Sequence, residues 1–233
     1  MPAPPTLEET TRLSRERLRP SLRNPSWLVL RQRRRIFEER IQQLPSSGLR
    51  VLDVGGRLQP YRPLLGERVQ SYLAIDPDLT PLVNAAALAE NLPFRDEQFD
   101  LVICTQVMEY FPEPARAVEE MWRVLRKGGY AFVSAPSVFV RDHKKEYWRF
   151  LPAGLAHLFQ RFESVEVIAE GNSASGMVRA FNVFLTSFFR PRFLLPVCQW
   201  TLVPLLNMAG LLLEKAGGHN EDFAANFSVW ARK

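Results

Sequence analysis

The segment that most constrains the fold is residues 50–56, an apolar stretch that ends in two glycines and reads RVLDVGG. Such a run is typical of a buried parallel strand, and glycine permits a tight turn in which the backbone approaches a ligand. A second apolar run, residues 72–75, ends in Asp76, about 20 residues after the glycines, where nucleotide-binding sheets place a carboxylate on ribose hydroxyls. Two strands and one acid therefore predict a nucleoside pocket.

Length and composition favour a single α/β domain with additions. The chain has 233 residues, of which 46% are hydrophobic, enough for one well-filled core. Cys104 and Cys198 lie in apolar runs without the spacing of a zinc site or a disulfide scaffold. We therefore predict no metal site and a reducing compartment. Residues 1–5 lack the basic-then-apolar order of a secretory signal, which indicates a cytoplasmic protein.

Positive charge is concentrated near the N-terminus. Residues 12–35 contain nine arginines and one acid, Glu16, a local charge of +8, so the remainder carries 5 − 8 = −3. A basic arm favours an anionic partner such as membrane lipid, a lipid-linked phosphate or nucleic acid; the alternative is a solvated helical face that aids solubility. Trp27 is the only aromatic side chain in this segment that could stack on a base, which argues against nucleic acid.

The hydrophobic pattern divides the chain after residue 45. Residues 1–24 are predicted to be loose or only partly helical, and the apolar spacing from Trp27 to Leu44 predicts a helix. Residues 1–45 thus form a basic arm with a helix, and residues 46–233 form the α/β domain.

Within that domain, strand and helix signals alternate. A strand at residues 101–104 precedes a helix from Pro114 that is expected to stop at the glycines 128–129, and the next strand follows at 130–134. A weaker strand is predicted at 83–88, and residues 226–231 alternate as an edge strand would. This order implies right-handed parallel crossovers, with ligands at the carboxyl ends of the strands.

Residues 175–217 are predicted to be an apolar helical insertion before the last strand. The stretch 193–213 has no charged residue and has the length of a membrane span, but Pro196 and Pro204 interrupt it. A single crossing would also separate the last strand from its sheet. We therefore expect two short helices that cover one end of the fold or lie in the plane of a membrane surface; the alternative is a cap packed wholly onto the core.

The order of motifs resembles the class I S-adenosylmethionine-dependent methyltransferases of type 11. The resemblance covers about residues 50–136, and the segments that carry it are 51–55 (VLDVG), Asp76, 92–94 (LPF), 99–102 (FDLV) and 123–129 (RVLRKGG). A second block resembles members found among bacterial cell-surface polysaccharide genes, and it comprises His143, 147–150 (YWRF) and 154–155 (GL). The resemblance implies a Rossmann-like, seven-stranded, mostly parallel sheet with an antiparallel last strand and helices on both faces. It also implies S-adenosylmethionine as the cofactor.

The same resemblance implies roles for residues at the ends of the strands. The residues that would contact the cofactor are Asp53 at the methionine amino group, Gly55 and Gly56 at the close backbone approach, Asp76 and Pro77 at the ribose, Glu90, Asn91 and Leu92 around the adenine, and Thr105 and Gln106 near the methyl group. Glu109 and His143 are the candidate catalytic residues, with His143 as a general base. Each has a structural alternative: a turn cap for Asp53 and Asp76, loop polarity for Glu90 and Asn91, an arginine pair for Glu109, and a solvent position for His143.

Two functions remain open from the sequence. The family's glycine loop usually continues with glycine where this chain has Arg57 and Gln59, and Leu88 stands where an acid commonly contacts the adenine amino group. The first hypothesis is a methyltransferase acting on a hydroxyl of a sugar, glycan or lipid-linked intermediate, cytoplasmic or peripheral at the inner face of the membrane. The second is an inactive relative that serves as a binding or scaffolding protein.

Overall fold

The computed structural model describes residues 5–138, 140, 144–188, 194–216 and 220–233. The strands are β1 Leu49–Val54, β2 Val69–Asp76, β3 Ala85–Ala86, β4 Phe99–Thr105, β5 Leu125–Pro136, β6 Ser164–Ala169 and β7 Asn226–Arg232. The helices are α1 Leu7–Leu18, α2 Trp27–Arg40, α3 Arg62–Leu65, α4 Pro114–Val124, α5 Pro152–Leu158, α6 Ser173–Phe188, α7 Leu194–Trp200 and α8 Leu202–Ala216. Strands alternate with helices through the middle of the chain, as the sequence predicts.

Within the described residues, these strands form one seven-stranded sheet in the order β3-β2-β1-β4-β5-β7-β6. The pairs among β1 to β5 are parallel, whereas β7 is antiparallel to both β5 and β6. The predicted fold class is therefore confirmed. The prediction of an edge position for the last strand is wrong, because β7 lies between β5 and β6 and is buried on both faces from Asn226 to Ala231.

The sheet separates two hydrophobic clusters, because successive side chains of a strand point to opposite faces. In β1, Val51 belongs to a cluster with Phe37 of α2, whereas Leu52 belongs to a cluster with Val118 and Met121 of α4. The core therefore has a layer of helix on each face of the sheet, as predicted.

Local sequence explains where two helices begin and end. α1 starts in a capping box in which Thr6 accepts from the Glu9 N–H and the Glu9 carboxylate accepts from the Thr6 N–H. The prediction that α4 ends at glycine is wrong, because the helix stops at Val124 and β5 already includes Gly128. Gly128 has φ +73° and donates its N–H to the Lys233 carbonyl at 2.6 Å. These glycines therefore shape the start of a strand.

The predicted helix from Trp27 ends at Arg40 and continues as a 3-10 turn to Gln43. It packs Phe37 into the core, and it also buries Arg33. The Arg33 guanidinium pairs with the fully buried carboxylate of Glu170, with an Nη2–Oε2 distance of 2.7 Å. Some charge of the basic arm is therefore neutralised inside the fold and is not offered to a partner.

The apolar segment before β7 forms α6, α7 and α8, which pack on one another, and α6 and α8 also contact α2. As predicted, α7 and α8 are separate, and Pro196 and Pro204 each lie in a first helical turn, where a missing N–H is tolerated. The stretch Leu195–Ala216 is long and apolar enough to cross a membrane by length and composition, and 22% of its apolar window is buried. That exposure excludes the alternative of a cap packed wholly onto the core.

Candidate functional site

The carboxyl ends of β1, β2 and β4 meet at one edge of the sheet, because β1 pairs in parallel with both neighbours. This edge brings together Asp53 from β1 and Gly55 just after it, Asp76 from β2, and Thr105 from β4. The sequence places its predicted nucleoside pocket at the same edge.

The glycine turn after β1 is closed by internal contacts. Gly55 has φ +76°, and a Cβ atom there would collide with the side chain of Val107. A Cβ atom at Gly56 would lie 2.7 Å from the Cβ of Ala74. Both N–H groups donate to the Ile75 carbonyl, at 2.8 and 3.1 Å. Packing of this turn against β2 and the β4 loop therefore already requires both glycines.

Asp53 is buried at the end of β1 and accepts a hydrogen bond from the Tyr72 hydroxyl at 2.6 Å. Burial raises the pKa of Asp53 to about 7, and the charge of Asp76 adds to this increase, whereas the Tyr72 hydrogen bond opposes it. Sequence reasoning missed Tyr72, but the strand register contains the signal. Asp53 is opposite Ala74, so the residue two positions earlier on β2 faces the same side of the sheet.

Asp76 is the buried acid at the end of β2, and it has internal partners. Its Oδ1 accepts the Asp78 N–H at 2.9 Å and lies 4.0 Å from Nε of Arg57. Nη1 of the same arginine lies 3.5 Å from Oδ2 of Asp78. Burial raises the pKa of Asp76, whereas the Asp78 N–H and the Arg57 charge lower it. Arg57 therefore competes for the carboxylate that would bind a ribose.

Gln59, the second departure from the glycine loop, fastens the same region. It is buried, has φ +50°, donates from Nε2 to the Leu82 carbonyl at 2.5 Å and accepts from Arg62 at 3.0 Å. The Thr80 hydroxyl donates to the Arg57 carbonyl at 3.3 Å. The loop after β1 is therefore joined to the loop after β2 by polar side chains where the family usually has glycine.

The predicted adenine residues have different environments. The Leu92 N–H donates to the Glu120 carboxylate at 2.8 Å, so it is already satisfied by α4. Asn91 is exposed, and so is Leu88. Glu90 is half-buried, and its Oε1 atom is buried without a hydrogen-bond partner among the described residues. Glu90 is therefore the better candidate of the three for an adenine amino group.

Gln106 follows β4 with φ +58°, a conformation uncommon for residues other than glycine. Its Nε2 donates to the Ser134 hydroxyl at 3.0 Å and its Oε1 accepts from Asn226 at 3.1 Å. The side chain therefore bonds to β5 and β7, and its place near the methyl group stays a prediction. Thr105 is half-buried at the end of β4.

Glu109 lies in the 3-10 turn Met108–Tyr110, and its Oε2 atom is buried without a hydrogen-bond partner among the described residues. Burial raises the pKa of this carboxyl to about 7, and the charge of Glu146 adds to the increase, whereas its own backbone N–H and the charges of Arg33 and Arg149 lower it. No ion pair of Glu109 is found within the described part of the chain. The predicted alternative of a surface arginine pair is therefore wrong.

The remaining predicted site residues are His143 and Pro77. His143 lies outside the described residues. Pro77 is exposed next to Asp76. Among the described residues, no group of three or more histidine, cysteine, aspartate or glutamate side chains has the arrangement of a metal site.

The central part of the chain is similar to a known protein family. A family described as a methyltransferase domain matches residues 52–133, which include β1, the Asp76 strand, β4 and most of β5. Over these residues, about a third of the chain, the sequence is similar to a methyltransferase domain. This match supports the predicted enzyme class, and with it the predicted cofactor S-adenosylmethionine, for this part of the chain.

Curated relatives match over a limited length. An uncharacterized methyltransferase of Mycolicibacterium vanbaalenii is 32% identical over 100 residues, which is 38% of this chain and 39% of that protein. A ubiquinone biosynthesis O-methyltransferase of Pseudomonas fluorescens is 27% identical over 140 residues, 50% of this chain and 59% of that protein. The chain thus spans less than two thirds of the length of these relatives.

Solved structures share the fold at low identity. The crystal structure of the [4+2]-cyclase SpnF matches with a TM-score of 0.56 at 18% identity. The match covers 100% of this chain and 98% of the SpnF chain. A SAM-dependent methyltransferase from Archaeoglobus fulgidus has a TM-score of 0.54 at 14% identity, with coverage of 95% and 98%. Because the name of the first is that of a cyclase, the fold alone does not define the reaction.

Proposed function

We propose that the protein transfers a methyl group from S-adenosylmethionine to a hydroxyl of a sugar, glycan or lipid-linked intermediate. The observation that carries this proposal is the Glu109 carboxylate, whose buried Oε2 has no hydrogen-bond partner among the described residues and whose pKa is raised by burial to about 7. It lies just beyond the carboxyl end of β4, the edge at which ligands bind in sheets of this type.

A hydroxyl acceptor must lose its proton during transfer, and a base is most effective when its pKa is close to the working pH. Glu109 would accept that proton at Oε2 at neutral pH. The cofactor supplies an activated methyl group, so the chain's remaining task is to position donor and acceptor. Asp76 would bind the ribose hydroxyls and Glu90 the adenine amino group, because each presents a buried carboxylate oxygen. These residues fit the cofactor.

Aromatic side chains beside Glu109 support a sugar as the acceptor. Its backbone carbonyl accepts the N–H groups of Tyr147 and Trp148, at 2.8 and 3.3 Å. Both side chains are exposed, to 60% and 42%, and each combines an apolar ring with a polar tip. Such rings suit the apolar faces of a glycan, and the O-methyltransferase name of the Pseudomonas fluorescens relative supports an oxygen acceptor.

We place the protein in the cytoplasm, at the inner face of the membrane.

The second candidate function is an inactive relative that binds or scaffolds. The specific observation that favours it is Arg57, which holds Asp76 where a ribose would bind. The internal use of both glycine N–H groups favours it as well. Under this hypothesis the domain keeps the fold without binding the cofactor.

Calorimetry and a methyl-transfer assay separate the two functions. We expect S-adenosylmethionine and S-adenosylhomocysteine to bind the full chain, and labelled methyl to appear on lipid-linked oligosaccharides. Glu109→Gln should bind the cofactor normally and lose on the order of a hundredfold in turnover. Glu119→Gln, at an exposed carboxylate of α4, is the control.

The pH profile adds an independent readout. Because the ionised form of Glu109 is the base, turnover should rise with pH and level off above about 7. Absence of cofactor binding at millimolar concentration would favour the scaffolding function. Full turnover in Glu109→Gln would remove Glu109 as the base.

A further inference from the structure

The three helices inserted before β7 expose large apolar side chains to solvent. We call this surface the outer face and define it by Phe181, Phe184, Val197, Trp200, Leu205 and Leu212, which are exposed to between 50% and 67%. Phe181 and Phe184 lie three positions apart on α6, and Leu205 and Leu212 lie seven apart on α8, so each pair lies on one side of its helix. Large apolar side chains exposed on three helices that pack on one another favour an interaction site.

Two asparagines of the same helices face inward, whereas Ser187 and Lys215 near the helix ends are exposed. Asn182 and Asn207 are fully buried, and Nδ2 of Asn182 donates to Oδ1 of Asn207 at 3.0 Å. Asn207 also donates to the carbonyls of Leu22 and Asn24. The helices thus use these asparagines to bind the N-terminal loop and leave apolar groups outside. This arrangement suits an apolar environment on the outer face.

Positive charge borders the outer face. The Arg23 guanidinium lies 3.1 Å from the centroid of the Trp200 ring, so a cation is attached to the edge of the apolar surface. An apolar surface bordered by arginine and tryptophan is complementary to anionic lipid headgroups above an acyl layer.

We propose that the outer face of α6, α7 and α8 binds the surface of a bilayer that contains anionic lipid, with the helices in the plane of the membrane. A single membrane crossing by these helices would place β7, which follows α8, on the opposite side of the bilayer from the sheet. This does not fit the structure, because β7 pairs with β5 in the central sheet. The surface is independent of the methyl-transfer site, so its test needs neither cofactor nor acceptor. Its role is to hold the protein where lipid-linked molecules reside.

Vesicle flotation with the full chain tests the proposal. We expect the protein to float with vesicles of phosphatidylcholine and phosphatidylglycerol, to float weakly with phosphatidylcholine alone, and to detach as salt increases. Leu205→Glu with Leu212→Glu should reduce the bound fraction by about tenfold or more. Leu151→Glu is the matched control, because Leu151 is exposed to the same 67% as Leu205 but precedes α5. Circular dichroism confirms that each variant is folded.

Three results would overturn the proposal. The first is a protein that stays unbound with every vesicle composition. The second is equal binding by the wild type and the double variant. The third is a dimer in analytical ultracentrifugation that the double variant abolishes, without vesicle binding, because the outer face would then serve a second copy of the chain.

Discussion

Asp53 is a buried carboxylic acid whose protonation should set part of the protein's stability. Its pKa is about 7 in the folded state and 3.8 in the reference state, so the folded state holds the proton more tightly. The sign follows from linkage: its contribution is complete below about pH 4 and is lost as the pH rises through about 7.

Replacement of Asp53 by asparagine removes the free-energy cost of ionising a buried carboxylic acid. Above about pH 7 we expect Asp53→Asn to be more stable than the wild type by about 2–4 kcal/mol, with no advantage near pH 4. Urea unfolding at both pH values measures the difference. Tyr72→Phe removes the hydrogen bond that stabilises the ionised form of Asp53. The stability of this variant should therefore fall more steeply with rising pH than that of the wild type. Equal stability of the wild type and Asp53→Asn at about pH 8 would contradict this account.

Arg57 should weaken cofactor binding, because it neutralises Asp76 and reaches Asp78. The arginine side chain is 47% exposed, so the pair is screened and its removal should raise affinity by only about twofold to fivefold. Calorimetry on Arg57→Ala measures this gain, and the gain should shrink in high salt. Arg116→Ala, on exposed α4 surface, should leave affinity unchanged. A weaker complex with Arg57→Ala would instead make Arg57 part of the cofactor site.

Individual site residues were predictable from the sequence to different extents. Asp53 and Asp76 follow from strand ends and spacing, and the structure places both at the predicted edge. Gln106 faces β5 and β7 because its partners Ser134 and Asn226 come from distant strands. No local pattern encodes such a pairing. The same holds for the pairing of Arg57 with Asp76.

The turn between β1 and α3 requires glycine at position 55 for two physical reasons. Gly55 has a positive φ, and a Cβ atom there would overlap Val107. Gly55→Ala should therefore cost about 2–4 kcal/mol, from backbone strain and overpacking together. Gly66→Ala isolates the strain, because Gly66 has φ +54° and a Cβ atom added there would meet nothing within 4 Å. Denaturant unfolding of both variants gives the two contributions.

A further variant separates the contributions again. Gly55→Ala combined with Val107→Ala should recover part of the loss, because the second change removes the overlapping methyl groups. Equal costs for Gly55→Ala and Gly66→Ala would mean that contact with Val107 is unimportant.

Elements were predicted best where the signal is local and periodic. The helices from Trp27 and Pro114 begin as predicted because each shows an apolar stripe at helical spacing. The position of β7 could not be read in this way, because its neighbours are chosen by the whole sheet. The end of α4 was missed because β5 pairs with β4 as far back as Leu125, which lies opposite Phe99.

At the scale of the whole molecule, one buried ion pair joins the N-terminal arm to the sheet. Glu170 follows β6, and it accepts from Arg33 of α2, from Ser134 of β5 at 2.5 Å and from Ser228 of β7 at 2.7 Å. The sequence divides the chain after residue 45, but this contact ties the two parts together over 137 positions. Arm and sheet should therefore unfold as one cooperative unit.

Glu170→Ala tests this coupling, because it leaves the Arg33 charge buried without a partner. We expect a loss of about 3–5 kcal/mol, since breaking a buried pair from one side is costly. Arg33→Met combined with Glu170→Leu should lose less, because no charge remains buried. Glu39→Ala is the control within the same helix: its pair with Arg35 is exposed and should contribute about 0.5 kcal/mol or less. Fluorescence and far-ultraviolet circular dichroism should report a single coincident transition for the wild type. An earlier transition for the arm, or native stability in Glu170→Ala, would show that the arm is an independent unit.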